Sequence, residues 1–223
     1  THRPTASANF TFGERLDALS VSLPVSVFQW RGLNTLVNTR DMPGTDGLPS
    51  MAIQQGDQLF WGHGVNAGPR LNWKLGDDQT LSLQSFLQKG YWNNRVQYQN
   101  EVRIGLPSLD DDAQTHGTWQ NARGNLQWTN YLSASERIEL KAGVQASKGA
   151  FSSQTYRLQA PQRHVAGDTE DRSLTQAGKY TRLLNDQHSL TAGWDLEWRR
   201  RGERREVTEN GLPQLPEFEG QPF

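Results

Sequence analysis

The chain contains no cysteine, which excludes disulfide bonds, thiolate metal sites and a thiol nucleophile. It has no run of about 18 apolar residues, so no transmembrane helix is expected. Lys and Arg (23) nearly balance Asp and Glu (24), and this gives no reason to expect nucleic acid as a partner. Only 34% of the 223 residues are hydrophobic, and the mean hydropathy is −0.78. That is a thin apolar set for the core of a soluble β-sandwich.

What the sequence does contain is alternation at period two. Residues 125–144 read NLQWTNYLSASERIELKAGV, with apolar side chains at every second position and Asn, Gln, Thr, Glu or Lys between them. Such alternation predicts β-strands with one apolar and one polar face, and two such runs on either side of a short polar turn predict an antiparallel hairpin.

Four hairpins of this kind are predicted, turning at GERLDA, GDDQ, SASE and NDQH. The connections between hairpins are predicted as long loops, at roughly residues 31–66, 93–118, 158–172 and after about 206. Short turns at one end and long loops at the other are typical of bacterial outer-membrane barrels. The predicted fold class is therefore all-β: an antiparallel up-and-down transmembrane β-barrel segment of about eight strands in four hairpins, with little helix.

Aromatic and basic residues fit this interpretation. Trp73, Trp128, Trp194 and Trp198, with Tyr180, fall on the apolar face and are expected near the membrane interfaces. The alternative is that they fill the core of a soluble sheet. In the run RRRGERRE, Arg200 and Arg204 are expected to face outward. They would either bind phosphate groups of the outer leaflet or form Arg–Glu pairs at a solvated strand top.

Catalysis and metal binding have no support in the sequence. None of the five histidines has metal-ligand spacing with another, and no Ser or Asp is singled out with a nearby His. We therefore expect no enzyme activity, no metal site and no cofactor.

Aromatic and basic residues at the predicted strand tops suggest ligand binding by stacking and charge-assisted hydrogen bonds. Trp92 and Trp119 rank first because their positions predict side chains on the polar, lumen-side face. The other candidates are Trp61, Tyr91 and Arg157. The alternative for each is a packed loop or interface collar.

Three segments resemble the barrel of TonB-dependent outer-membrane receptors of the siderophore-receptor type: GPRLNWKLGDDQTLSLQSFLQKGYW, GNLQWTNYLSASERIELKAGVQASKGAF and LLNDQHSLTAGWDLEWRRRGERREV. The resemblance lies in pattern and phrasing, with no invariant motif. It implies a 22-stranded barrel filled by an N-terminal plug in the bacterial outer membrane. It also implies import of iron–siderophore complexes or similar scarce nutrients, energised by a TonB-type inner-membrane partner, without chemistry on the substrate.

The resemblance leads us to expect that residues 1–223 form a partial outer-membrane barrel, with the plug and the remaining strands outside this segment. The expected partners are a siderophore or other small nutrient, the TonB-type protein through the plug, and outer-membrane lipid including lipopolysaccharide. Two alternatives stay open: a complete eight-stranded anchor or adhesin barrel, and a soluble all-β carbohydrate-binding domain.

Overall fold

The computed structural model describes residues 5–43, 49–104, 111–157 and 160–214. These residues form one antiparallel, barrel-like sheet of ten strands and contain no helix. The strands are β1 (Ala6–Leu16), β2 (Leu19–Pro43), β3 (Pro49–Ala67), β4 (Arg70–Lys74), β5 (Gln79–Ile104), β6 (Asp111–Ser133), β7 (Glu136–Arg157), β8 (Ala160–Asn185), β9 (His188–Glu209) and β10 (Leu212–Gln214).

The strands follow one another in chain order across the sheet, with β3 and β4 lying end to end between β2 and β5. The break between β3 and β4 falls at Gly68–Pro69, where proline has no N–H to donate to the ladder. The expected count of eight strands is therefore not confirmed. One long strand is divided at this break, and a short β10 is added after β9.

The four predicted hairpin turns are confirmed. β1 and β2 join at Asp17–Ala18, β6 and β7 at Ala134–Ser135, and β8 and β9 at Asp186–Gln187. The turn between β4 and β5 occupies residues 75–78. Arg182, which falls among apolar positions of β8, forms an ion pair with Glu136 on β7 (Nε to Oε1, 3.1 Å).

The predicted long loops are wrong. β2 runs to Pro43 and β3 begins at Pro49, β5 runs to Ile104 and β6 begins at Asp111, and β7 and β8 are separated only by residues 158–159. The strands β5 to β9 are 22 to 26 residues long. Far from the hairpin turns, these strands carry polar side chains on both faces. Alternation at period two therefore produces no contrast in hydropathy between the faces there.

The tail after residue 206 is also partly stranded. Asn210 and Gly211 both have positive φ (50° and 78°) and join β9 to β10. Asn-Gly is the dipeptide that a two-residue hairpin with two positive φ angles favours, so this turn was readable from the sequence. Residues 215–223 of the predicted loop lie outside the described residues.

The sheet has two chemically different faces. The apolar face carries the even-numbered residues of β6 to β9 near the turns, including Leu126, Trp128, Leu140 and Trp194, which cross-strand pairing brings to one side. The opposite face, here called the polar face, carries the odd-numbered residues of the same strands. Trp73, Tyr180 and Trp198 also lie on the apolar face, as predicted.

No second layer built from residues that the structure describes covers the apolar face. Among the described residues Val96 is the only buried hydrophobic side chain. Leu196 (59% exposed) and Trp198 (56%) lie open on β9, and Phe10 on β1 is 65% exposed. Within the described part of the chain no helix is both long and apolar enough to cross a membrane.

Candidate functional site

Aromatic rings on the polar face lie over glycines of neighbouring strands. In each case the ring belongs to the residue paired directly across from the glycine, where an added Cβ would collide with it. We call this set the aromatic–glycine belt: Phe28 over Gly64, Trp30 over Gly62, Phe60 over Gly32, Tyr98 over Gly56, Trp119 over Gly90, Trp92 over Gly117 and Phe151 over Gly167.

One cross-strand row shows how the belt forms. From β2 to β8 the paired residues read Trp30, Gly62, Trp92, Gly117, Phe151 and Gly167. An aromatic residue alternates with a glycine on successive strands, so each ring has space to lie along the sheet. Aromatic cover of strand glycines restores the packing that a missing side chain removes.

Three of the rings contact one another above the glycines of β3 and β5. Phe28 and Trp30 are stacked, with ring centroids 5.8 Å apart and planes at 25°. Trp30 and Trp119 approach to 5.5 Å at 46°, although they belong to strands separated by β3 and β5. The three residues are half-buried, and the accessible parts of their rings can stack with a planar or cationic group.

The five predicted ligand-binding residues do not form one site. Trp92 and Trp119 lie on the polar face within the belt, as their positions predicted. Trp61 and Tyr91 lie on the apolar face, because adjacent residues of a strand point to opposite sides. Tyr91 contacts His63 there, with ring centroids 5.7 Å apart.

Arg157 is also separate from the belt. It lies at the end of β7, six residues beyond Phe151, which corresponds to about 20 Å along a strand. Its Nε and Nη2 donate to the two carboxylate oxygens of Asp111 at 2.8 and 3.1 Å. These hydrogen bonds, and to a lesser extent the attraction between the opposite charges, raise the pKa of Arg157. The guanidinium is therefore bound by Asp111.

Between the belt and the hairpin turns, the polar face carries ion pairs. Arg199 on β9 donates to Asp171 on β8, with Nη2 2.5 Å from Oδ2. Arg137 and Glu139 on β7 form a second pair at 2.9 Å. Near the turns this face carries charged side chains, whereas the opposite face carries mainly leucine and tryptophan.

The belt is the feature that the sequence interpretation missed. Its signal is a glycine two residues before an aromatic on three successive strands: Gly90 and Trp92, Gly117 and Trp119, Gly149 and Phe151. The spacing places both residues on one face, and the antiparallel register then sets each ring opposite a glycine.

A serine–histidine contact was also missed. Ser152 Oγ lies 2.9 Å from His164 Nε2 on the apolar face. The acid in the same cross-strand row as Ser152 is Glu206, which binds Arg204 instead. A serine hydrolase with a catalytic histidine needs an acid or amide that orients the histidine, and Glu206 does not fill this role. The absence of enzyme activity stays a prediction. In the described ranges no three His, Asp or Glu side chains are grouped so as to hold a metal ion.

Comparison with known proteins gives one structural likeness. No family model matches the chain, and no curated protein matches it significantly. Among solved structures it is similar to the ferric yersiniabactin uptake receptor FyuA from Yersinia pestis, with a TM-score of 0.43 and 13% sequence identity. The match covers 100% of this chain and 43% of that chain. This chain therefore spans less than half the length of that receptor.

Proposed function

We propose that this chain is part of a bacterial outer-membrane receptor whose apolar face contacts lipid and whose polar face lines a wet interior. The receptor binds and imports a scarce nutrient, such as an iron–siderophore complex. A TonB-type inner-membrane partner supplies the energy. The chain performs no chemistry on its ligand.

The observation that carries the proposal is the length, along each strand, of the band of apolar side chains on the apolar face. On β9 the outward residues at positions 190–198 are Leu, Ala, Trp, Leu and Trp, and Arg200 follows. On β7 they are apolar from Ile138 to Ala146, and Lys148 follows. Each band spans nine positions, and a tilted transmembrane β-strand needs about 9–11.

The missing core supports lipid over water as the medium of this face. A soluble β-domain buries its apolar face against a second layer. Here that face is open, and its Leu and Trp side chains remain about half exposed. Within the described ranges, the soluble carbohydrate-binding alternative therefore has no core packing to support it.

The pairing of the strands bears on the small-barrel alternative. Closure of eight strands would need β1 to pair with β9. In the described ranges β1 pairs with β2 alone, and β9 pairs with β8 and, through Val207, Thr208 and Glu209, with β10. Strand edges do not face lipid unpaired, so we propose that these edges pair with further strands of a larger barrel.

Tryptophan fluorescence tests the membrane part of the proposal. Two variants would each keep one tryptophan, Trp198 or Trp119, with the other seven changed to Phe. In vesicles whose acyl chains carry bromine, Trp198 should be quenched and Trp119 should not. Equal quenching, or quenching of neither, would contradict the assignment of the two faces.

Ligand binding tests the receptor part. Replacing Trp92 and Trp119 by Ala should weaken binding of a ferric siderophore roughly tenfold, since one stacking contact is worth about 0.5–1.5 kcal/mol. The matched control is Trp61→Ala with Tyr91→Ala on the other face, which should leave affinity unchanged. Affinity is measured on the folded fraction. Equal effects of the two pairs would remove Trp92 and Trp119 from the binding site.

A further inference from the structure

A groove of about 610 Å³ lies on the apolar face where the apolar band ends. Its floor consists of short side chains from three strands, Ala67, Ala122 and Ala146, beside Leu87. Two residues further from the hairpin turns along each strand, the same groove is lined by Lys89, Gln120 and Lys148. The groove is therefore apolar at its lower end and cationic at its upper end.

The charges at the upper end are uneven. Glu170 continues the row beyond Lys148, but Arg172 forms an ion pair with it along the same strand. In the described part of the chain neither Lys89 nor Lys148 has an acidic partner. On β9 the row ends at Gly202, which has no neighbouring atom near the place of a side chain. The upper end of the groove therefore carries three cations, Lys89, Lys148 and Arg172, and one carboxylate, Glu170.

From this geometry we infer that the groove binds the phosphate of a membrane lipid, with the acyl chains lying over Leu87, Ala122 and Ala146. The inference rests on the proposed function, because it needs the apolar face to contact lipid. Lys89 and Lys148 lie on strands separated by β6, so their backbones are about 10 Å apart. Flexible lysine side chains at that spacing converge on one phosphate, and the Gln120 amide donates between them.

The apolar floor decides the source of the phosphate. A free phosphate ion gains nothing from a wall of alanine and leucine, whereas a lipid places its acyl chains there and its charge at the level of Lys89 and Lys148. Lysine and arginine side chains near a membrane surface attract anionic lipid headgroups.

This site differs from the pair Arg200 and Arg204 that the sequence suggested. Arg204 Nη2 lies 2.5 Å from Glu206 Oε1, so the Arg–Glu alternative is correct for Arg204. Arg200 lies directly across from Arg172, one row closer to the turns than Lys148. Arg172 lines the groove, and Arg200 beside it is an additional cation outside the Lys89–Lys148 row.

The test is a titration of the protein in zwitterionic detergent with short-chain phosphatidic acid, with bound lipid counted by native mass spectrometry. Lys89→Gln with Lys148→Gln should weaken binding at least tenfold. The control, Lys141→Gln with Lys179→Gln, removes the same charge from the polar face of β7 and β8 and should leave binding unchanged. Lys89→Arg with Lys148→Arg should retain it.

Three results would overturn the inference: no loss in the Gln pair, an equal loss in both pairs, or displacement of the lipid by inorganic phosphate at the same concentration. The third would make the site one for free phosphate. The Trp198 quenching experiment separates this from a failure of the proposed function. If Trp198 is quenched while the Gln pair binds normally, the groove alone is disproved. If Trp198 is not quenched, the membrane assignment fails first.

Discussion

Tryptophan is used differently on the two faces of this sheet. On the apolar face Trp73 is 48% exposed and Trp198 is 56% exposed, and only Trp194 lies over a glycine, Gly178. On the polar face Trp30, Trp92 and Trp119 are half-buried against glycines of the next strand. Trp73 and Trp198 therefore depend mainly on the surrounding medium for their burial, whereas the three tryptophans of the polar face obtain it from the sheet itself.

This difference suggests that the two faces stabilise the protein in different ways: the polar face through contacts within the sheet, and the apolar face through contact with a surrounding medium. Among the described residues only one hydrophobic side chain is buried, and the belt supplies close contacts between aromatic rings and the glycines of neighbouring strands. The apolar face contributes its transfer free energy only when an apolar medium covers it. Stability should therefore respond to belt substitutions in any solvent, and to apolar-face substitutions only in lipid.

The largest expected effect comes from filling a glycine of the belt. Gly90→Val would place a Cβ inside the position of the Trp119 ring and force the ring off the sheet. Overpacking costs about 1–3 kcal/mol, and loss of the ring contacts adds to it, so we expect about 3 kcal/mol less free energy of unfolding. Urea unfolding in detergent measures it.

The control for Gly90 is Gly202→Val. No atom lies within 4 Å of the place where the Gly202 side chain would begin, so this substitution should leave the unfolding midpoint unchanged. A loss as large as that of Gly90→Val would mean that the cost comes from the β-strand backbone and that the belt has no special role.

Truncating one tryptophan from each face sharpens the comparison. Trp119→Ala uncovers Gly90 and removes the contact with Trp30. We expect a loss of about 2 kcal/mol, below the 3–5 kcal/mol typical of large core aromatics because Trp119 is only half-buried. The loss should be the same in short-chain detergent and in lipid vesicles.

Trp198→Ala should behave in the opposite way, with a cost that depends on the medium. Its side chain is 56% exposed, so its environment is mainly whatever covers the apolar face. Parallel unfolding curves in the two media measure both variants. If the Trp119→Ala loss changed with the medium as much as the Trp198→Ala loss, the proposed division between the two faces would be wrong.

The sequence predicted the part of the fold in which the two faces differ most. Near the turns most second residues are apolar, with Arg182 as an exception. Strands, hairpin turns and faces therefore follow directly, and Leu71 pairs with Leu83 as the GDDQ hairpin requires. Above the apolar band the strands carry Asn, Gln, Thr and Gly on both faces. The backbone remains extended because the ladder of hydrogen bonds continues, but periodicity no longer reports it.

The candidate site was only partly predictable for a related reason. Parity along a strand correctly placed Trp92 and Trp119 on the polar face. It also separates Trp61 and Tyr91 from them, since each is adjacent in sequence to a residue of the belt. The glycine opposite each ring depends on the register between strands, which a single strand's pattern does not contain.

A smaller effect tests whether the rings of the belt act together. In a double-mutant cycle of Trp30→Phe and Trp119→Phe, we expect a coupling free energy of about 1 kcal/mol, because the two rings are 5.5 Å apart. The same cycle on Trp73 and Trp198, which lie on the apolar face at strands β4 and β9, should give none. Coupling of equal size in both pairs would indicate a global effect of aromatic content.

The smallest effect is expected at the strand tops, away from both groups of tryptophans. Asp111→Asn removes the charge that holds Arg157, and the bidentate pair is lost. An exposed ion pair contributes less than about 1 kcal/mol, so the unfolding midpoint should fall slightly and the effect should shrink in high salt. Arg157 would then be free to bind an anionic ligand. A gain in affinity for such a ligand with Asp111→Asn would show that Arg157 is held back by its partner. A loss would show that the pair itself shapes the binding surface.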